Sequence, residues 1–166
     1  DYDGDGLCDL YFCNLDGRNA LYRNLGGWKF IDMTEAAGVA CAERASTGAT
    51  FADVDGDGRM DLIVVANGGM NVVFMNAGDG TFSSVDVGSP LRDGDARTFP
   101  AWADYDNDGF LDLLITCGDW GPAKNLLYHN NGNSNSWLKV KLVGTVSNRS
   151  AIGAKVKALG RLGRLS

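Results

Sequence analysis

One ten-residue pattern, D-x-D-x-D-G-x-x-D-L, is written three times in 166 residues. It fills Asp1–Leu10, Asp53–Leu62 and Asp104–Leu113, with starts 52 and then 51 residues apart. Each copy places four carboxylates within nine residues. Carboxylates at that density repel one another, so each copy is either a fully solvated acidic turn or a cluster around a shared counter-charge. The fixed period restricts the fold as well. A chain that repeats at this length stacks similar units instead of building one irregular core.

The spacing selects the counter-charge. Calcium takes six to eight oxygen ligands at about 2.3–2.6 Å with tolerant geometry. In a tight loop alternate residues can face one centre, and positions 1, 3 and 5 are Asp in every copy: Asp1, Asp3 and Asp5, then Asp53, Asp55 and Asp57, then Asp104, Asp106 and Asp108. Position 6 is always Gly, where the chain turns sharply. Position 7 varies between Leu7, Arg59 and Phe110, as expected of a residue that offers only its carbonyl. Position 9 is Asp again, and Asp9, Asp61 and Asp112 are expected to close the shell. Borderline and soft metals favour His or Cys, which no position supplies in all three copies. Magnesium keeps its waters and is rarely caged by protein alone. The expected cofactor is therefore Ca²⁺, up to one per loop.

An EF-hand is the nearest competitor, but it needs a bidentate Glu at position 12 and helices on both sides. Position 12 is Phe12, Val64 and Ile115, and short apolar runs rich in β-formers follow each loop. The loops therefore sit between strands. An acidic Asp-Gly turn without metal is the plain alternative, weakened by its threefold repetition. Twelve of the 21 acidic residues lie in the loops, and three divalent ions would neutralise the formal net charge of −6.

The repeat extends past the loop. Asn19–Asn24, Asn71–Asn76 and Asn125–Asn130 share an N-x-hydrophobic-aromatic-x-N pattern, and Gly-rich turns with an aromatic follow at Gly26–Phe30 and Gly78–Phe82. Thr47–Ala52 and Thr98–Ala103 precede the second and third loops. Each unit reads as strand, metal loop, strand, hairpin, strand, Gly turn, strand. The expected fold is all-β: four-stranded antiparallel β-propeller blades, about three of them in an incomplete ring, then a short β segment. A β-sandwich would not need the strict period.

These loops, the Phe/Trp-Ala-Asp lead-in and the N-x-L-Y-x-N strand resemble FG-GAP/VCBS repeats, which build the calcium-bearing blades of integrin α-subunit heads. The tail from Asn135 to Val156 resembles the start of an ASPIC/UnbV domain, and the combination is similar to the cartilage acidic protein family. The resemblance implies propeller repeats over 1–134 (about 1–46, 47–96 and 97–134) and a truncated ASPIC/UnbV-like β domain over 135–166. It further implies a secreted, surface or periplasmic protein that binds other molecules, with few reactions assigned to its members. The first unit lacks its opening strand and fewer than four blades are present, so the chain reads as part of a longer one. Blade faces meant for neighbours should then be exposed.

Catalytic signals are weak. His129 is the only histidine and falls where the other repeats have Arg23 and Met75, which reads as a tolerant, exposed strand position. No G-x-S-x-G, H-E-x-x-H, P-loop or C-x-x-C occurs. Cys8, Cys13, Cys41 and Cys117 show no disulfide framework, with Cys13 and Cys117 reading as core residues and Cys8 and Cys41 able to pair in an oxidising compartment. The segment from Trp137 to Ser166 carries seven basic residues and no acid. Its alternation suits the wet face of strands or a patch for an anionic glycan, whereas nucleic acid is not indicated. No run of 18 apolar residues occurs, so no membrane-spanning helix is expected. The reading is a calcium-binding extracellular propeller module, a binding or adhesion scaffold for a protein or glycan, and not an enzyme. The alternatives are the propeller part of a larger secreted enzyme, or a self-assembling structural repeat.

Overall fold

A computed structural model describes residues 1–67, 71–85, 97–117, 124–134, 140, 142–145 and 156. Its strands are β1 (Leu10–Phe12), β2 (Ala20–Asn24), β3 (Phe30–Asp32), β4 (Ser46–Ala52), β5 (Asp61–Ala66), β6 (Val72–Asn76), β7 (Phe82–Val85), β8 (Arg97–Ala103), β9 (Asp112–Cys117) and β10 (Leu126–Tyr128). One short helix, α1 (Thr34–Ala37), follows β3. The strands form three sheets, ordered β1-β2-β3, β4-β5-β6-β7 and β10-β9-β8, with every pairing antiparallel. The chain is all-β and arranged as propeller blades that do not close a ring. The middle sheet shows the full unit: each successive strand pairs with the one before it, and the acidic loop joins the first two.

The sheets stack face to face, and β5 shows why its sequence is apolar without alternation. All six residues of β5 are buried. Leu62 and Val64 face the first sheet, in a core with Tyr2, Leu21, Val39 and Phe74. Ile63 and Val65 face the third sheet, in a core with Val73, Leu113 and Ile115, against which Trp102 and Tyr128 pack. A strand covered on both faces needs apolar residues at every position.

The end sheets are covered on one side only. On β1, Tyr11 packs inward while Leu10 and Phe12 are 40% and 54% exposed. On β9 and β10, Leu114 and Leu127 are exposed in the same way. Tyr22 meets Phe12 edge-on at 5.9 Å on the outer face of the first sheet, whereas Phe51, Phe74, Trp102 and Tyr128 sit between sheets.

The helix α1 was not foreseen. Asp32 Oδ1 accepts from Thr34 N–H at 2.9 Å and Thr34 Oγ1–H at 2.5 Å, which turns the chain out of β3. Gly38, at φ 76°, ends the helix, and its N–H donates to Glu35 O. The chain then returns Val39 to the core, completely buried. Cys8, Cys13 and Cys41 are free thiols. Cys41 lies 3.9 Å from the Tyr11 hydroxyl, while Cys8 is exposed in the first loop, so the pairing of those two is not formed. The Cys117 side chain and nearly all of the expected tail domain lie outside the described residues.

Candidate metal centres

The three loops share one hydrogen-bond frame. The N–H of position 6 donates back to the carboxylate of position 1: Gly6 to Asp1 at 3.0 Å, Gly58 to Asp53 at 3.0 Å and Gly109 to Asp104 at 3.3 Å. Position 5 N–H donates to position 3 Oδ1 at 3.2, 3.2 and 3.1 Å. Position 7 N–H donates to position 5 Oδ1 at 2.9, 2.8 and 2.9 Å. The carboxylates thus do two things at once. They fold the loop by binding its N–H groups, and they turn their remaining lone pairs toward one another.

Two positions in the frame need left-handed backbone. Gly6, Gly58 and Gly109 have φ of 88°, 89° and 97°. Position 4 is also left-handed, with Gly4, Gly56 and Asn107 at 74°, 71° and 64°. A Cβ added at Gly4 or Gly58 would meet nothing within 4 Å, so backbone conformation rather than space sets the residue type. Asn is the residue that tolerates this region best after Gly, and the Gly-Gly-Asn series at position 4 was a signal the sequence reading passed over.

The loops converge their acids unequally. Ligand atoms of Asp1, Asp3 and Asp5 lie within 4.8 Å of one another, as do those of Asp53, Asp55 and Asp57. In the third loop the groups are Asp104, Asp106 and Asp112, and Asp106, Asp108 and His129. Position 9 therefore joins an acidic triad in the third loop. In every loop its carboxylate has a second task. Asp9, Asp61 and Asp112 accept the position 2 N–H (Tyr2, Val54, Tyr105) on one oxygen at 2.8, 3.0 and 3.0 Å. On the other they accept the N–H of Asn24, Asn76 and Asn130 at 2.8, 2.9 and 2.8 Å. Each position 9 Asp thus ties the start of its loop to the closing Asn of the N-x-hydrophobic-aromatic-x-N segment of its repeat. Burial pushes the Asp61 carboxyl above the ordinary carboxylate value, and the two N–H donors oppose that shift.

Asn24, Asn76 and Asn130 complete the frame. Each Oδ1 accepts the N–H of the Gly two residues on, at 2.9, 2.9 and 3.0 Å, as a turn-capping Asn does. Each Nδ2 donates to the position 8 carbonyl of its own loop, Cys8, Met60 or Leu111. Asn76 and Asn130 donate as well to the preceding loop, at Tyr2 O and Val54 O.

Each loop also meets a basic side chain. Arg23 Nε lies 2.5 Å from Asp3 and its Nη2 lies 3.1 Å from Asp5. Arg59, inside the second loop, pairs with Asp57 and donates to Asn76 O. His129 Nε2 lies 2.9 Å from Asp106 and 3.5 Å from Asp108. Hydrogen bonding to the Leu7 N–H, with help from Arg23, holds the Asp5 carboxyl below its usual value. Hydrogen bonds to Asn131 and Asp106 raise the His129 imidazole. Positions 23 and 129 are thus not arbitrary exposed sites: both fold back over the carboxylates at positions 3 and 5. Sequence reasoning missed this, although Arg and His at one repeat position beside an acidic loop were a usable signal.

The donor set fits a hard cation. The aspartates of each loop present carboxylate oxygen, and Asp104 Oδ1 is buried with no hydrogen-bond partner among the described residues.

A family model described as FG-GAP-like repeat matches residues 1–64 and 53–115. Among curated proteins, the chain is similar to cartilage acidic protein 1 of Mus musculus, 31% identical over 110 residues, 64% of this chain and 17% of that protein. Cartilage acidic protein 1 of Xenopus tropicalis is 27% identical over 124 residues, 72% of this chain and 19% of that protein. The Homo sapiens protein of that name is 29% identical over 110 residues, covering 64% and 16%. The chain therefore spans less than a fifth of the length of these relatives.

Proposed function

The chain belongs to the FG-GAP-like repeat family, and from that premise we propose a calcium-binding propeller module that serves as a binding or adhesion scaffold outside the cytoplasm. The supporting observation is the shared frame of the loops. Three separate segments fold the same backbone circuit and bring three acidic side chains within 4.8 Å each time. Calcium would supply the positive charge that lets these carboxylates stay together. In the first loop Asp1, Asp3, Asp5, Asp9 and the Leu7 carbonyl would hold it. In the second the set is Asp53, Asp55, Asp57, Asp61 and the Arg59 carbonyl. In the third it is Asp104, Asp106, Asp108, Asp112 and the Phe110 carbonyl.

A weak calcium affinity would favour a location outside the cytoplasm. Loops as exposed as these suit the weak range of extracellular calcium modules, about 10⁻⁴–10⁻³ M. Such sites fill outside the cell, at its surface or in a periplasm, and not in a cytosol poor in calcium. A repeat family of this kind supports a non-catalytic scaffold, and the ligand we propose for it is a protein or a glycan. Blades of a longer chain would cover the exposed outer faces at Leu10 and Phe12 and at Leu114 and Leu127.

Calorimetric titration of the folded chain with calcium after chelation tests the reading. Heat of binding with a rise in melting temperature supports it, and a folded sample that takes up no calcium refutes it. The exposed outer faces favour a second reading, a structural repeat that assembles with itself. Light scattering with and without chelator separates the two, because a scaffold of the first kind keeps its mass when calcium is removed.

A further inference from the structure

The third loop differs from the other two in the chemistry of the side chain that closes over it. Arg23, paired with Asp3 and Asp5, offers the first loop no metal ligand, and Met75, at the same repeat position, offers the second loop no nitrogen donor. His129 offers a nitrogen ligand. Its Nε2 stands 2.9 Å from Asp106 Oδ2 and 3.5 Å from Asp108 Oδ2. Ligands of an ion with bonds of about 2.0–2.2 Å, in tetrahedral or octahedral array, lie about 2.9–3.5 Å apart.

A second contact orients the ring. His129 Nδ1 lies 3.3 Å from Asn131 Oδ1. A metal-bound histidine is held in this way by an outer partner on its other nitrogen. The contact with Asn131 leaves Nε2 as the ring nitrogen that faces the two carboxylates.

We propose that Asp106, Asp108 and His129 form a site for a borderline divalent transition-metal ion of the zinc class, which the first and second loops cannot match. The site rests on the reading that the loop carboxylates hold divalent cations. It adds selectivity to one of them: mixed nitrogen and oxygen donors favour zinc, cobalt or nickel over calcium.

The test uses the whole chain at mildly alkaline pH and zinc chloride as the probe. His129 is the only histidine, so its imidazole protons give one set of resonances. Zinc should shift them and saturate at one equivalent, in the presence of excess calcium. His129→Ala and His129→Arg should weaken the tightest zinc equivalent at least tenfold and leave calcium uptake by the first two loops unchanged. Because the wild-type resonances report directly, the test stands even if a variant misfolds. Imidazole signals that ignore zinc, or undiminished zinc affinity in a folded His129→Ala protein, would overturn the site and show His129 to be an internal counter-ion only. Zinc bound through His129 in a chain that takes up no calcium would instead sink the calcium reading and leave this one standing.

Discussion

The side-chain amide of Asn76 donates to the carbonyl of Tyr2 at 2.7 Å, joining the second blade to the loop of the first across 74 residues of sequence. The same amide donates to Met60 O at 3.0 Å, and its own carbonyl oxygen accepts from Gly78 N–H at 2.9 Å. One buried side chain therefore satisfies three backbone groups in two blades. Asn130 repeats the arrangement between the second and third blades, with Val54 O at 3.1 Å.

Replacing Asn76 should be costly. Asn76→Ala leaves two carbonyls and one N–H without their partner, which costs about 2–3 kcal/mol of stability. Asn130→Ala, at a less buried site, should cost less. Urea denaturation followed by tryptophan fluorescence measures both, and equal losses would show that burial does not set the difference.

The loop aspartates should divide into two classes. Asp61 accepts two backbone N–H groups and is buried, so Asp61→Ala should lose about 2–4 kcal/mol with or without calcium. Asp57 is exposed, and its backbone contacts lie within its own loop. Asp57→Ala should change stability by less than about 1 kcal/mol in chelator. With calcium present it should lose most of the stabilisation that the second loop gains from the metal. Thermal melts of both variants with and without calcium check this. A large loss for Asp57→Ala in chelator would mean that Asp57 supports the turn and not a metal.

Asp32 should contribute stability that depends on pH. Thr34 hydrogen bonds, from side chain and backbone, and then Arg18 hold its carboxyl down at about 2. A carboxyl whose folded value is depressed stabilises the fold above its unfolded value, near 3.9, and loses that contribution as pH falls toward the folded one. The wild type should therefore exceed Asp32→Asn in stability at pH 5, with the gap closing between about pH 4 and 2. Chemical denaturation across that range reads the gap, and a gap that persists at pH 2 would place the effect elsewhere.

The outer faces should drive association. Phe12 and Leu127 are 54% and 55% exposed on opposite end sheets, where blade stacking would place apolar partners. The double variant Phe12→Ser, Leu127→Ser should lower the light-scattering mass at concentrations where the wild type associates. An unchanged mass would assign association to another surface.

Much of this architecture is written in the local sequence, because a repeat supplies its own internal controls. Leu62-Ile-Val-Val reads as a buried strand, and the position of Asp53–Asp61 between β4 and β5 follows from its flanks. The carboxylates at positions 1, 3 and 5 converge in the first two loops, whereas in the third Asp112 joins Asp104 and Asp106. What spacing could not show is a contact made across the blade. The clamp of Asp61 on Asn76 N–H spans 15 residues, and the reach of His129 to Asp106 spans 23. Both depend on strand register, which the turns determine only once the sheet has formed. The helix α1 was hidden for a different reason. Four residues carry too little periodicity to register, and its entry depends on Thr34 turning back onto Asp32.

The most direct test of the calcium claim is the metal content of the folded wild-type chain, measured by equilibrium dialysis against calcium through about 10⁻⁴–10⁻³ M. The expected result is uptake approaching one ion per acidic loop, with a matching rise in melting temperature. A folded chain that stays free of calcium throughout that range, with an unchanged melting temperature, would contradict it.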